Sequence, residues 1–128
     1  MTADVRELVQ LAVVLERNVP EAERAMAAVV TRGALNVKNE WRDNARASAG
    51  RHARLYPSSI SYDVKAIPGG AEAEIGPDKD KPQGPLGNLL EFGSVNNGPH
   101  NDGGRALLAE EPRFVAQVAA IVDRLGPR

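Results

Sequence analysis

The sequence predicts an α+β fold, with long helices before residue 50, an antiparallel β-hairpin after it, and a further helix near the C-terminal end. Three observations carry that reading. Apolar residues recur every three or four positions from Asp4 to Ala49, they alternate with polar ones over Ser59–Lys65, and the helical spacing returns from Phe114 to Leu125. Those are the 3.6- and 2.0-residue periods of helices and strands. At 128 residues the chain has the length of one domain, 1–128. Within it, 1–50 is helical, 51–104 holds the hairpin and long loops, and 105–128 holds the closing helix.

The first helix is expected over Asp4–Arg17, where Val5, Leu8, Ala12, Leu15 and Val19 make one stripe. Asp4 serves as N-cap, with Glu7 three residues on as its capping-box partner. Pro20 then breaks the pattern and opens a second helix, because proline is tolerated at the first helical position but not in the interior. Glu21 and Glu23 fall in that first turn, where carboxylates complement the helix dipole. The second helix is expected over Pro20–Ala49. Met26, Val30, Ala34, Val37, Trp41 and Ala45 form its buried stripe, widened by Val29 and Leu35. Gly33 reads either as a close packing contact or as a bend, and Gly50 as the stop.

A basic connection, 51–57, leads to a half-buried strand over Ser59–Lys65 with Ile60, Tyr62 and Val64 on one face. Pro68-Gly69-Gly70 turns the chain and Ala71–Ile75 returns it, giving the hairpin. Gly76–Gly87 is a polar loop without periodicity. Leu86, Leu89, Leu90 and Phe92 read as a helical turn leading into a strand, and a second loop follows from Ser94 to Gly104. The last helix carries Phe114, Val118, Ile121, Val122 and Leu125, with Pro112 in its first turn and Gly126-Pro127 as its stop. Arg105–Glu110 reads as a short separate helix before it.

Composition narrows the chemistry. There is no cysteine, which excludes disulfides, thiolate catalysis and cysteine-held zinc. Met1-Thr2-Ala3-Asp4 lacks the basic and apolar regions of a signal peptide, and no apolar run reaches a membrane span, so a soluble chain made in the cytosol is expected. A net charge of −1 argues against a dedicated nucleic-acid binder. His52 and His100 stand far apart, in no metal-ligand spacing. The carboxylates Glu72, Glu74, Asp78 and Asp80 interleave with Lys79 and Lys81 as solvated charges, and no phosphate-binding glycine pattern occurs. No catalytic residue, metal site or cofactor is expected, and the chain is not read as an enzyme.

Two features have two readings each. Arg42, Arg46 and Arg54, with His52, lie near the end of the long helix as a solvated face with subunit salt bridges, or as a DNA contact. The acidic stretch from Glu72 to Asp80 is the matching surface, which in a homo-oligomer is the neighbouring subunit. Glu91-Phe92-Gly93 reads either as structure, with Phe92 in the core and Gly93 in a turn, or as function, with Glu91 a partly buried charge that fixes an interface by meeting a neighbour's arginine.

The order of these segments resembles the tail-component family of long-tailed bacteriophages, the small neck and tail-completion proteins that join head to tail. The matching pieces are Leu35-Asn36-Val37-Lys38-Asn39-Glu40-Trp41-Arg42 with Tyr56-Pro57-Ser58-Ser59-Ile60, then Ala73-Glu74-Ile75-Gly76-Pro77, then Leu89-Leu90-Glu91-Phe92-Gly93-Ser94, then a proline-containing loop and closing helix. They extend over residues 5–125. Tyr56-Pro57-Ser58-Ser59 replaces the family's usual turn before the first strand, and the loop from Asp78 to Gly87 is longer than minimal.

The resemblance implies helices packed on a small, mostly antiparallel twisted sheet, and assembly with itself as a ring, commonly a hexamer, around the DNA channel. Partners would be other connector and tail proteins, with genomic DNA passing through unread. The location would be the virion neck or tail, after synthesis in the host bacterial cytoplasm. Glu91, Phe92, Gly93 and Trp41 carry over as family-pattern residues, and Arg42, Arg46 and Arg54 as interface candidates. A tail terminator or head-side stopper is the alternative within the same machine, and a small DNA-binding regulator the alternative outside it.

Overall fold

Helix α1, Pro20–Ser48, has the sheet on one side and the C-terminal helix on another. Its sequence accounts for that position. The expected stripe of Met26, Val30, Ala34, Val37, Trp41 and Ala45 is buried throughout, joined by Ala22 and Gly33. Helical spacing puts these residues along one continuous surface, so a single element supplies most of the core. The helix passes through Gly33 unbroken. The computed structural model describes residues 9–14, 20–48, 53–87, 90 and 101–125.

The hairpin forms where alternation places it. Strand β2, Ile60–Ile67, pairs antiparallel with strand β3, Gly70–Pro77, from Ile60 opposite Pro77 to Ile67 opposite Gly70. Pro68 fixes a negative φ and Gly69 takes φ 79°, the pair of signs that a type II turn needs. Ile60, Ala71, Ala73 and Ile75 are buried against α1, with Tyr62 and Val64 packed at the edge of the same cluster. Asp63 and Lys65 alternate with them and are exposed. Lys65 crosses to Glu72, 3.1 Å away on the neighbouring strand.

The segment expected as a first helix is corrected. Residues 9–14 form strand β1, Val9–Val14, which pairs antiparallel with β3 so that the order is β1-β3-β2. Val9, Leu11 and Val13 fit a period of two as well as Leu8, Ala12 and Leu15 fit a period of 3.6, and Val favours strands. Pairing decides between the two, because β3 in the middle has its backbone groups satisfied on both sides. The rest of the expected helix, 4–8 and 15–17, lies outside the described residues.

The C-terminal end is corrected too. One helix, α2 (Asp102–Leu125), replaces a short helix followed by a longer one, and Pro112 sits inside it rather than in its first turn. Proline removes one backbone donor, leaving the carbonyl four residues earlier, on Leu108, without its usual helical partner. Both residues are exposed, so water can take that place. Gly103 and Gly104, expected in a loop, belong to the first turn. Gly103 allows α2 to lie against Trp41, since a Cβ there would come within 2.7 Å of the indole ring.

Between β3 and α2 the polar loop is a series of tight turns. Lys81 N–H donates to Asp78 O, Gly84 N–H donates to Lys81 O, and a 3-10 turn spans Gly84–Leu86. Gln83 has φ 62°, and its side-chain oxygen accepts from Leu55 N–H at 2.6 Å, tying this loop to the segment after α1. Leu86 and Leu90 pack on the core. Of the expected apolar segment, Leu86 closes the 3-10 turn, while Leu89 and Phe92 lie outside the described residues.

Candidate interaction surfaces

Polar ties hold α2 to α1 at one end. Asp102 is 1% exposed, and its carboxylate accepts from Ser48 Oγ at 2.7 Å and from Arg105. Asn44 Nδ2 donates to Asp102 O at 3.0 Å. A carboxylate in the first turn of a helix also complements its dipole. Further along, Glu110 is 3% exposed and accepts from Asn36 Nδ2 at 3.2 Å and Arg113 Nε at 2.9 Å.

Beyond Glu110 the two helices leave a cleft of about 660 Å³ between the first half of α1 and the second half of α2. Its floor is apolar: Ala25, Val29 and Gly33 from α1, Phe114 and Ile121 from α2. The exposed Arg32, Arg113 and Arg124 stand around it. Glu110 alone among the lining residues is acidic, and it is already engaged by Arg113 and Asn36. The cleft therefore has an apolar floor and a positive rim.

The opposite side of α2 is different. Leu108, Val115 and Val122 are 66%, 58% and 51% exposed. They are spaced by seven residues, two helical turns, so they lie almost in line. Pro112 and Ala119, also exposed, fall between them. Val122, expected in the buried stripe with Ile121, is thus a surface residue, because the helix turns it about 100° away from its buried neighbour.

The residues singled out by sequence are distributed elsewhere. Trp41 is 1% exposed and belongs to the core, so its surface cannot face a neighbouring subunit. Its indole N–H has no hydrogen-bond partner among the described residues. Arg42 is half-buried, and its guanidinium clamps the start of β2: Nε and Nη2 donate to Ile60 O at 2.9 and 2.6 Å. Arg46 is exposed and pairs with Asp43 at 2.8 Å, and Arg54 is exposed. The expected three-arginine patch is thereby reduced, since Arg42 serves the fold. Glu91, Phe92, Gly93, His52 and His100 lie outside the described residues.

Lys38, one turn before Arg42, stands 5.5 Å over the ring of Tyr62. Burial, then Arg42 and Lys81, push its pKa below the ordinary lysine value. Lys65 moves the other way, raised first by its hydrogen bond to Glu72 and then by that carboxylate's charge. Among the described residues no three His, Asp or Glu side chains gather as metal ligands, and no helix is long and apolar enough to cross a membrane.

The arginines of the cleft were missed by sequence reading, because helical periodicity locates an apolar face but not the neighbour that borders it. Leu108, Val115 and Val122 did carry a signal in their seven-residue spacing. In comparisons with known proteins, no family model, no curated protein and no solved structure matches the chain.

Proposed function

We propose that the chain is a structural, non-catalytic subunit of the head–tail joint of a long-tailed bacteriophage, working as a ring, commonly a hexamer, at the neck or as a tail-completion component. The observation that carries this reading is the order of segments from Leu35 to Ser94, centred on Leu89-Leu90-Glu91-Phe92-Gly93-Ser94. Support comes from the arrangement of the surface. Arg42, Asp102 and Glu110 are used in helix-to-strand and helix-to-helix ties, while apolar side chains are left outward on α2 and an arginine-rimmed cleft opens behind them. A subunit whose work is to hold neighbours needs such surfaces and no reacting groups.

The test is electron microscopy of virions assembled without the protein. Filled heads separated from complete tails are expected. Empty heads would assign the chain to a head-side stopper, and tails of irregular length to a terminator. Normal joined virions would refute the reading altogether. A DNA-binding regulator predicts tight, salt-dependent binding to duplex DNA, whereas the ring reading predicts weak binding or none in the same titration.

A further inference from the structure

We propose that the exposed ridge of α2, formed by Leu108, Val115 and Val122, seats in the arginine-rimmed cleft of a second copy of this chain. This deepens the ring reading and shares its premise that copies contact one another. The occupant follows from three properties on the same molecule. First, the surfaces match in kind. The ridge is an apolar line about 21 Å long at 1.5 Å per residue, and the cleft has an apolar floor between two helices. An apolar helix face laid in an apolar groove is a recurrent mode of recognition.

Second, the charges match. Glu111 and Asp123 flank the ridge, one on each side, and both are exposed. Neither makes an ion pair among the described residues, whereas the cleft carries Arg32, Arg113 and Arg124 and only the engaged Glu110. Complementary rims of this sort set orientation and exclude wrong pairings. A ridge-to-ridge pair leaves Arg32 and Arg124 unanswered, Arg113 being held by Glu110.

Third, the two surfaces lie on opposite sides of one helix. Glu110, Phe114, Gln117, Ile121 and Arg124 face the cleft, and Leu108, Val115 and Val122 point away from it. A contact between unlike surfaces on opposite sides is heterologous, repeating from copy to copy and closing into a ring when the rotation permits. Each subunit in a closed ring makes the contact twice, once with its ridge and once with its cleft. A single pair makes it once and is correspondingly weaker.

The absence of cysteine makes the test direct. Val115→Cys marks the ridge and Ala28→Cys the cleft wall, both at exposed positions. Mixed under mild oxidation, the two variants are expected to form a disulfide-linked pair, while each alone forms none. Val115→Asp and Arg32→Glu, checked for an unchanged fold by circular dichroism, are each expected to weaken self-association roughly tenfold or more in sedimentation.

Self-linking of Val115→Cys as readily as the mixture would overturn the proposal in favour of paired ridges. Rings that form equally well with Val115→Asp and Arg32→Glu would overturn it and leave the ring reading standing. Wild-type protein that stays monomeric at every concentration would also overturn this contact, while the head–tail reading would still be judged by virion morphology.

Discussion

Trp41, Gly103 and Asp102 show how few side chains fix the junction of the two helices. The indole is buried at 1% exposure, and Gly103 lies so close that a methyl group would approach its ring atoms within 2.7 Å. Gly103→Ala therefore sets two effects against each other. Alanine gains about 1 kcal/mol of helix propensity over glycine, while overpacking a closed core costs about 1–3 kcal/mol. The indole is held between α1 and α2 and cannot swing aside, so the expected result is net destabilisation, read as a lower denaturation midpoint. Gly104→Ala meets only the tip of Asn101 and should cost less. At Asp102, substitution by alanine removes the acceptor of Ser48 and Arg105 and a first-turn carboxylate. Hydrogen bonds to a charged group contribute about 1.5–3 kcal/mol, and a loss in that range is expected in the same measurement.

Two lysines supply a residue-scale prediction in pH. Lys38 is pushed down, foremost by burial, so its charged form is less favoured in the folded chain than in the unfolded one. That penalty acts while both states are protonated and is relieved as pH rises through the lowered folded value. Lys65 is raised by Glu72, so its contribution is complete below the ordinary value of 10.5 and is lost as pH climbs through its folded value. Side-chain NMR titration should show Lys38 losing its proton before Lys65. Glu72→Gln should bring Lys65 back towards the ordinary value and leave Lys38 where it is. The reverse order of titration would contradict the geometry at Tyr62 and Glu72.

At the scale of elements, proline has its largest effect in α2. A proline in a helix interior is about 3 kcal/mol less favourable than alanine. It returns about 0.4–1 kcal/mol by restricting the unfolded chain. Pro112 is exposed, so little packing is lost on its removal. Pro112→Ala should stabilise the protein by about 2–2.6 kcal/mol on that balance, raising the midpoint of thermal unfolding. No change, or a fall, would mean that the helix has already relaxed around the missing hydrogen bond. The same proline explains why sequence reading divided this region into two helices: local rules end a helix there, and packing of Ala106, Phe114 and Ile121 carries it through.

Other elements were legible to the extent that their signals were local. The stripe from Met26 to Ala45 has one period over six positions and nothing competing with it, and α1 follows it from Pro20 to Ser48. The hairpin has alternation on both sides of Pro68-Gly69, and the register agrees. The segment at Val9–Val14 satisfied two periods at once, so its conformation depended on β3, more than fifty residues away, having an edge to offer. The ridge on α2 was partly visible in the spacing of Leu108, Val115 and Val122. The cleft was not, because Arg32 and Arg124 become neighbours only when two helices distant in sequence diverge from their shared ties at Asp102 and Glu110.

For the whole molecule, unequal coverage of the two helices implies unequal local stability. α1 is covered by the sheet and by α2, whereas among the described side chains in the second half of α2 Phe114, Val118 and Ile121 are turned inward and the others are exposed. Amides in well-covered elements exchange through global opening, and those in weakly covered ones through local opening. In dilute protein, amides from Val30 to Trp41 should therefore exchange slowest, and those from Arg113 to Arg124 much faster. Raising the protein concentration separates intrinsic fraying from a surface awaiting its partner. If ridge and cleft join between copies, protection should rise together in residues 108–124 and in residues 25–36, the stretch of α1 that lines the cleft, while the β2–β3 turn at Pro68-Gly69 stays unchanged. A rise confined to α2 would indicate ridges pairing with ridges. A rise centred on the hairpin would move the contact to its charged face, where Asp63, Glu72 and Glu74 stand. High salt should reverse part of the protection in the expected case, because exposed charges such as Arg32, Arg124, Glu111 and Asp123 are screened over a Debye length of about 10 Å at 0.1 M, while the apolar contact of Leu108, Val115 and Val122 persists.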